Sequence, residues 1–487
     1  MTESDCTSPL QARGIESMES RSSAPSPHLL FVTSPMQGHI NPVRRLAARV
    51  AATDNARVTI STAVSGHRRM FPSLASPDEE AVDAAGLLHV PFSDGYDEGF
   101  DRAVHDARAR AAGCETLSAV VARLAGRGRP VTCVVYTFLV GWAPEVARAH
   151  GIPAALFWIQ PAAVFAVYYH CFHGHGAALA SCANDPARRD AVVRLPGMPP
   201  LSSRELPSIV AVTSPEQQGY PVLGILRDLF LALDGDSRPT KVLVNTFDAL
   251  EPEALRAVPG LELFAVGPVV PDVGAAPSSS TDLSLCDNDD ASGYMEWLDA
   301  QAARSVVYVS FGTVFTASRR QELETLQGLK ATGRPYLGVL RKVGGEEGAP
   351  LDGTDRRQAG MVVEWCDQAR VLSHAAVGCF VTHCGWNSAL ESIAAGVPIV
   401  AVPQWTDQPT VAWIVEECAG VGVRVAVDGE GVAGRGEIQR CVEMVMGDGD
   451  AALEIRARAA RWMERAKEAV TDGGVLERNL RSFVSGL

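Results

Sequence analysis

No run of about 18 apolar residues occurs in the chain, so the sequence predicts no membrane-spanning helix. The first 27 residues, rich in Ser and Pro, lack an apolar stretch of signal-peptide length. Their acidic residues Glu3, Asp5, Glu16 and Glu19 also argue against an organellar transit peptide, and the segment reads as a disordered tail. No Asn-x-Ser/Thr acceptor is present, and the 11 cysteines show no framework spacing, which points to a reducing, cytoplasmic compartment. Cys379 and Cys384 beside His383 come nearest to a metal clip; without a second ligand cluster they read as structural thiols, and no metal is expected. Long basic blocks are missing too. With 43 Lys and Arg against 57 Asp and Glu, the formal net charge is −14, a poor match for nucleic acid or an anionic membrane.

What is there is an alternation of strands and helices. With 487 residues, 47% of them hydrophobic, the chain exceeds one ordinary core and should form two domains. His28–Thr33 reads as a buried strand, Gln37–Asn41 as a loop and Val43–Ala52 as a helix with Pro42 at its first position. Strands follow at Arg57–Thr62, Cys133–Tyr136, Ala154–Trp158 and from Lys241, with a helix at Trp142–His150. Residues 269–293 have linker composition, after which a second series begins at Ser305 and continues through Met361–Trp365, Gly378–Thr382, Pro398–Val402 and Gly422–Val427. The expectation is an α/β fold of two Rossmann-like domains facing across a cleft, where open parallel sheets present ligand-binding loops. It divides the chain into residues 28–268, the linker, residues 294–470, and a terminal helix within 471–487 that packs back on the first domain.

From Trp365 to Gln408 the chain reads WCDQARVLSHAAVGCFVTHCGWNSALESIAAGVPIVAVPQWTDQ. This closely resembles the 44-residue donor-binding signature of plant family-1 UDP-glycosyltransferases, without a gap, and implies the GT-B fold. Weaker resemblance runs from His28 to the C-terminus. A buried strand, the tight turn His383–Trp386 and a helix from Asn387 form a natural diphosphate seat, because a helix start presents unpaired N–H groups and a positive dipole end. The resemblance implies that His383, Asn387 and Ser388 contact the phosphates, with Ser310 and Thr313 as further donors. It implies that Trp365, followed by Cys366, stacks on uracil and that Gln368 and Glu391 hold the ribose. Asp407 and Gln408 would bind the sugar hydroxyls beside Trp386, and the terminal Gln resembles members that prefer glucose. UDP-glucose is then a co-substrate and no cofactor is expected. Each residue also has a plain structural alternative: Ser388 and Glu391 spell a capping box, Asn387 suits an N-cap, and Trp365 suits a core.

His39, in SPMQGHINP, stands where the family has its general base, and imidazole can accept a proton near neutral pH. The family usually has an Asp five residues before the Trp of its next motif; here that position is Thr137, before Trp142. This variation, with Ser93–Asp97, Trp158–Pro161 and Pro196–Pro200, resembles the branch of anthocyanin 5-O-glucosyltransferases and of glucosyltransferases that esterify carboxylates such as crocetin and auxins. The expected activity is inverting glucosylation of a small hydrophobic metabolite, giving a β-glucose ester or a β-O-glucoside. Tyr96, Phe100, Trp142, Trp158, Tyr168 and Tyr169 are candidates for the acceptor side and equally for core. A monomer is the family default. Two other readings stay open: a non-catalytic UDP-sugar-binding protein, and an NAD-linked enzyme using Gly429–Gly434, which spells a dinucleotide fingerprint without the acidic residue such a site needs. Gly338 also departs from the family's usual Trp.

Overall fold

The computed structural model describes residues 26–53, 56–99, 107–234, 240–271, 293–312, 318–339 and 360–487. The tail up to residue 25, most of the linker, Phe100 and Thr313 lie outside the described residues.

In the first half, strands β1 (His28–Thr33), β2 (Arg57–Thr62), β3 (Ala81–Val82), β4 (Leu88–His89), β5 (Cys133–Thr137) and β6 (Ala154–Trp158) are followed by the hairpin of β7 (Val192–Val193) and β8 (Leu201–Ser202), then β9 (Lys241–Val244) and β10 (Glu262–Ala265). They form an eight-stranded sheet in the order β10-β9-β6-β5-β1-β2-β4-β3, parallel except for the β3–β4 edge, with the β7–β8 hairpin separate. The second half contributes β11 (Val306–Ser310), β12 (Tyr336–Val339), β13 (Met361–Val363), β14 (Val377–Thr382), β15 (Ile399–Ala401) and β16 (Gly422–Arg424). These give a six-stranded, wholly parallel sheet in the order β13-β12-β11-β14-β15-β16. Central strands are buried on both faces, as the runs LLFVT and VGCFVT demand.

Helix α1 (Gln37–Thr53) departs from the sequence reading, because it starts five residues before Pro42 and carries His39 in its first turn. Pro42 is accommodated because the helix opens with tight bonds from His39 and Ile40 to the Met36 carbonyl. The missing N–H of Pro42 leaves the Gly38 carbonyl, four residues back, without its helical donor. The terminal helix Val475–Ser485 lies on the β10 edge, with Asn479 Nδ2 donating to the Ala265 carbonyl at 2.8 Å.

The two halves touch through specific bonds. Trp386 Nε1 donates to the Asn245 carbonyl at 2.6 Å, and Thr410 Oγ1 donates to the Glu205 carbonyl at 2.6 Å. Ser208 and Thr406 exchange two bonds, each 2.8 Å. Apolar side chains of the Trp386–Ala395 helix join the core of the first half, so burial as well as polar bonding holds the halves together.

Candidate active site

The segment after β14 meets the segments after β1 and β9, where Asn387 reaches the Gly38 carbonyl and Trp386 the Asn245 carbonyl. On the second half, β14 ends at Thr382 and the chain turns through His383–Gly385 into the Trp386–Ala395 helix. The turn needs Cys384 at a left-handed φ of 63°, an uncommon conformation for a residue with a Cβ. The His383 ring is clamped between Gly312 and Gly385, where an added Cβ would stand 2.7 and 2.6 Å from ring atoms. Burial lowers the His383 pKa to about 4, so the imidazole is neutral at pH 7 and offers a hydrogen bond rather than a charge.

Gly385 is the N-cap of this helix, which removes the capping alternatives for Asn387 and Ser388. Asn387 Nδ2 instead donates across the cleft to the Gly38 carbonyl at 3.0 Å, the acceptor that Pro42 releases in α1. Ser388 Oγ accepts from Gln368 Nε2 at 3.0 Å, and Glu391 Oε2 accepts from the same amide at 2.8 Å. Tyr308 OH donates to Gln368 Oε1 at 3.3 Å and lies 3.4 Å from Cys366 Sγ. Gln368, Ser388 and Glu391 thus form one network, with half-buried Trp365 beyond the end of β13. Ser310 is buried at the end of β11, its Oγ accepting from the Gly312 N–H at 3.4 Å.

Asp407 and Gln408 follow β15 and open the Gln408–Trp413 helix, with Thr406 before them at a left-handed φ of 56°. Gln408 Oε1 accepts from the backbone N–H groups of Gln404 at 2.8 Å and Trp405 at 2.9 Å. Those bonds fix the amide so that its Nε2 is left to donate. Asp407 is buried; burial raises its pKa to about 6 despite a 2.8 Å bond from Thr406 Oγ1. A donor amide beside an acceptor carboxylate is complementary to adjacent hydroxyls of a sugar.

On the first half, His39 is buried and its Nδ1 lies 3.1 Å from Thr137 Oγ1 at the end of β5. Thr137 Oγ1 in turn lies 3.4 Å from Thr33 Oγ1 at the end of β1. The base candidate therefore meets a neutral hydroxyl where a carboxylate would bring charge. Phe138, unmarked in the sequence, tilts its ring against His39 at a centroid distance of 4.9 Å and against Trp158 at 5.4 Å.

The aromatic candidates separate. Trp158 is 0% exposed, walled by Phe165, Tyr168 and Phe230, with its indole N–H on the Pro161 carbonyl; it is core, and its ring meets Phe138, which in turn meets His39. Tyr168 is likewise buried, and Tyr169 stacks on His173. Half-buried Tyr96 and Trp142 stay available, Trp142 edge-on to Phe92 and Tyr96 beneath the Arg108 guanidinium.

Among the described residues no group of His, Cys, Asp or Glu is arranged to hold a metal ion, all nine described cysteines are free, and no helix is long and apolar enough to cross a membrane. The Gly429–Gly434 loop spends its N–H groups at Glu430 and Val432 on Asp428 Oδ1, as a surface turn does.

Residues 279–448 match the sequence profile of the UDP-glucoronosyl and UDP-glucosyl transferase family. Crocetin glucosyltransferase, chloroplastic, of Gardenia jasminoides is 41% identical over 473 residues, covering 94% of this chain and 96% of its own. Anthocyanidin 3-O-glucoside 5-O-glucosyltransferase 1 of Perilla frutescens is 39% identical over 471 residues, 94% of this chain and 98% of its own. The crystal structure of Os79 from O. sativa in complex with UDP is similar, with a TM-score of 0.76 at 32% identity, over 94% of this chain and 99% of that one. With two Rossmann-like sheets facing across a cleft and relatives matched almost end to end, the chain belongs to the plant family-1 UDP-glycosyltransferases of GT-B fold.

Proposed function

We propose that the protein transfers glucose from UDP-glucose to a small hydrophobic acceptor by a single in-line displacement, with preference for a carboxylate. The acceptor oxygen attacks C1 of the α-linked sugar, the C1–O bond to the diphosphate breaks, and UDP leaves with the electron pair, so the product is β-linked. The helix start at Trp386–Ser388, neutral His383, Ser310 and Thr313 receive the charge that develops on the diphosphate, as preorganised donors do. Trp365 stacks on uracil, Gln368 and Glu391 take the ribose, and Asp407 with Gln408 takes the sugar hydroxyls. His39 accepts the acceptor proton at Nε2 when there is one to accept, its Nδ1–H being directed to Thr137. Tyr96, Trp142 and Phe138 face the acceptor. Neither metal nor organic cofactor takes part, and the protein works in the cytoplasm as a monomer.

The contact between His39 Nδ1 and Thr137 Oγ1 carries the acceptor preference. A hydroxyl orients the imidazole but adds no negative charge to stabilise the imidazolium formed in proton abstraction. A phenol, with pKa about 10, needs that abstraction; a carboxylic acid, with pKa about 4, is ionised at pH 7 and does not. Relatives named for crocetin and for an anthocyanidin 5-O position show that the surrounding family includes different acceptor types. Product formation from UDP-glucose with paired carboxylic and phenolic acceptors, resolved by alkaline lability, tests the reading. Base-labile products should dominate; a wide excess of base-stable glucoside overturns the preference.

A further inference from the structure

Helix α1 does more than carry His39, since it is bonded at two points to the donor half-site. The first is the Gly38 carbonyl, freed by Pro42 and taken by Asn387 Nδ2. The second is Arg45, whose Nη1 and Nη2 both donate to Glu391 Oε1 at 3.1 Å. Arg45 Nη1 also donates to the Val269 carbonyl at 3.2 Å, on the segment leaving the first half. The two side chains are only 7% and 9% exposed. Removing both charges from water offsets much of their attraction, so such a pair is a poor stabiliser and its value lies in what it ties together. It joins the helix bearing the base, the crossover between the halves and the carboxylate that shares Gln368 with the donor network.

We propose that Arg45 is a positioning residue that couples occupancy of the ribose site to placement of His39. The inference rests on the reading of Glu391 as a ribose ligand. Ribose hydroxyls donate to Glu391 most effectively when the carboxylate is held in one orientation, and the Arg45 fork supplies that hold. The coupling is reciprocal: a nucleotide that fixes Glu391 also fixes Arg45, and through α1 it fixes His39 against Thr137. Lysine at this position keeps the charge but cannot serve the carboxylate and the Val269 carbonyl with one planar group.

Affinities for UDP and 2′-deoxy-UDP by calorimetry, together with kcat and both KM values, test this on Arg45→Gln, Arg45→Lys and Glu391→Ala. The parent should prefer UDP over 2′-deoxy-UDP by about tenfold, and Glu391→Ala should abolish that preference. Arg45→Gln should compress the preference to below about threefold, and it should lower kcat at saturating donor about tenfold because a displaced His39 no longer meets the acceptor in line. Arg45→Lys should keep the nucleotide preference and recover only part of kcat. Arg45→Gln that keeps both the preference and kcat overturns the proposal, as does a loss of kcat with the preference intact. If Arg45→Gln does not fold, Arg45→Lys decides alone, and parental kcat in that variant overturns the proposal. A parent that does not distinguish the two nucleotides removes the ribose reading of Glu391, a separate failure.

Discussion

The donor side and the acceptor side of the cleft are finished to different degrees. On the donor side Ser388 and Glu391 both accept from the Gln368 amide, Gln408 is locked by two backbone N–H groups, and His383 is clamped between two glycines. On the acceptor side the base candidate meets the Thr137 hydroxyl and the Phe138 ring, and the hydroxyls of Ser34, Thr62 and Ser65 and the amide oxygen of Gln160 are buried without a hydrogen-bond partner. Asn387 Oδ1 is an exception on the donor side, buried without a partner; a largely bonded network suits a ligand whose shape never varies, such as UDP-glucose. Unsatisfied polar groups after the first-half strands suit a site whose contacts are completed by the acceptor. The strain follows the same division, since Cys384 and Thr406 hold left-handed conformations next to the candidate donor residues His383 and Asp407.

The sharpest way to break the comparison is to remove the base candidate. His39→Ala should lower transfer by about 10²- to 10⁴-fold to a phenol and by much less to a carboxylate, with UDP affinity unchanged. Loss of UDP binding would show that the two sides are not separable in this way.

Asp407→Asn comes next, because it sets function against stability. It should raise the donor KM by about 10- to 100-fold, the usual range for a lost hydrogen-bonding group in a buried site. A folded-state pKa of about 6, above the ordinary value of 3.8, means burial opposes the charged form. The associated stability is fully present below about pH 3.8, is lost as pH rises to about 6, and at pH 7 the cost is on the order of 3 kcal/mol. Asp407→Asn should therefore raise Tm by roughly 2–4 °C at pH 7.5 and leave it unchanged at pH 4. A melting point that falls at pH 7.5 would contradict this.

A smaller effect follows for the parent protein: donor affinity should weaken as pH falls through about 6, where Asp407 takes up a proton. His383, at about 4, stays neutral through that window and adds no inflection of its own. An affinity that is flat from pH 7.5 to 5 would remove Asp407 from sugar binding. The smallest effect is expected from Trp158→Phe. As core it should cost stability and leave acceptor KM within about twofold, since large-to-smaller core changes act on folding.

The sequence carried much of this because the donor site is local. The strand, turn and helix around His383 lie within a few residues, and Arg57–Thr62 and Ala154–Trp158 are strands at the predicted boundaries. What escaped depends on packing between distant segments. Pro42 looked like a helix start because nothing local reveals that Asn387 takes the carbonyl it frees. Arg45 sits 346 residues from Glu391, and no pattern in helix α1 marks it. Trp158 read equally as acceptor aromatic and as core, because its burial depends on Phe165, Tyr168 and Phe230 closing around it. Thr137 was legible by its offset from Trp142, but its contact with His39 is made between helix α1 and strand β5.

The most direct test of the central claim is the ratio of kcat/KM for a carboxylic acceptor to that for its matched phenol, in the parent and in Thr137→Asp. A carboxylate at position 137 would stabilise the imidazolium of His39 and assist only the acceptor that has a proton to lose. The ratio should fall at least about tenfold, through faster phenol transfer, with UDP affinity unchanged. A ratio that does not move would contradict the assignment of acceptor preference to the neutral partner of His39.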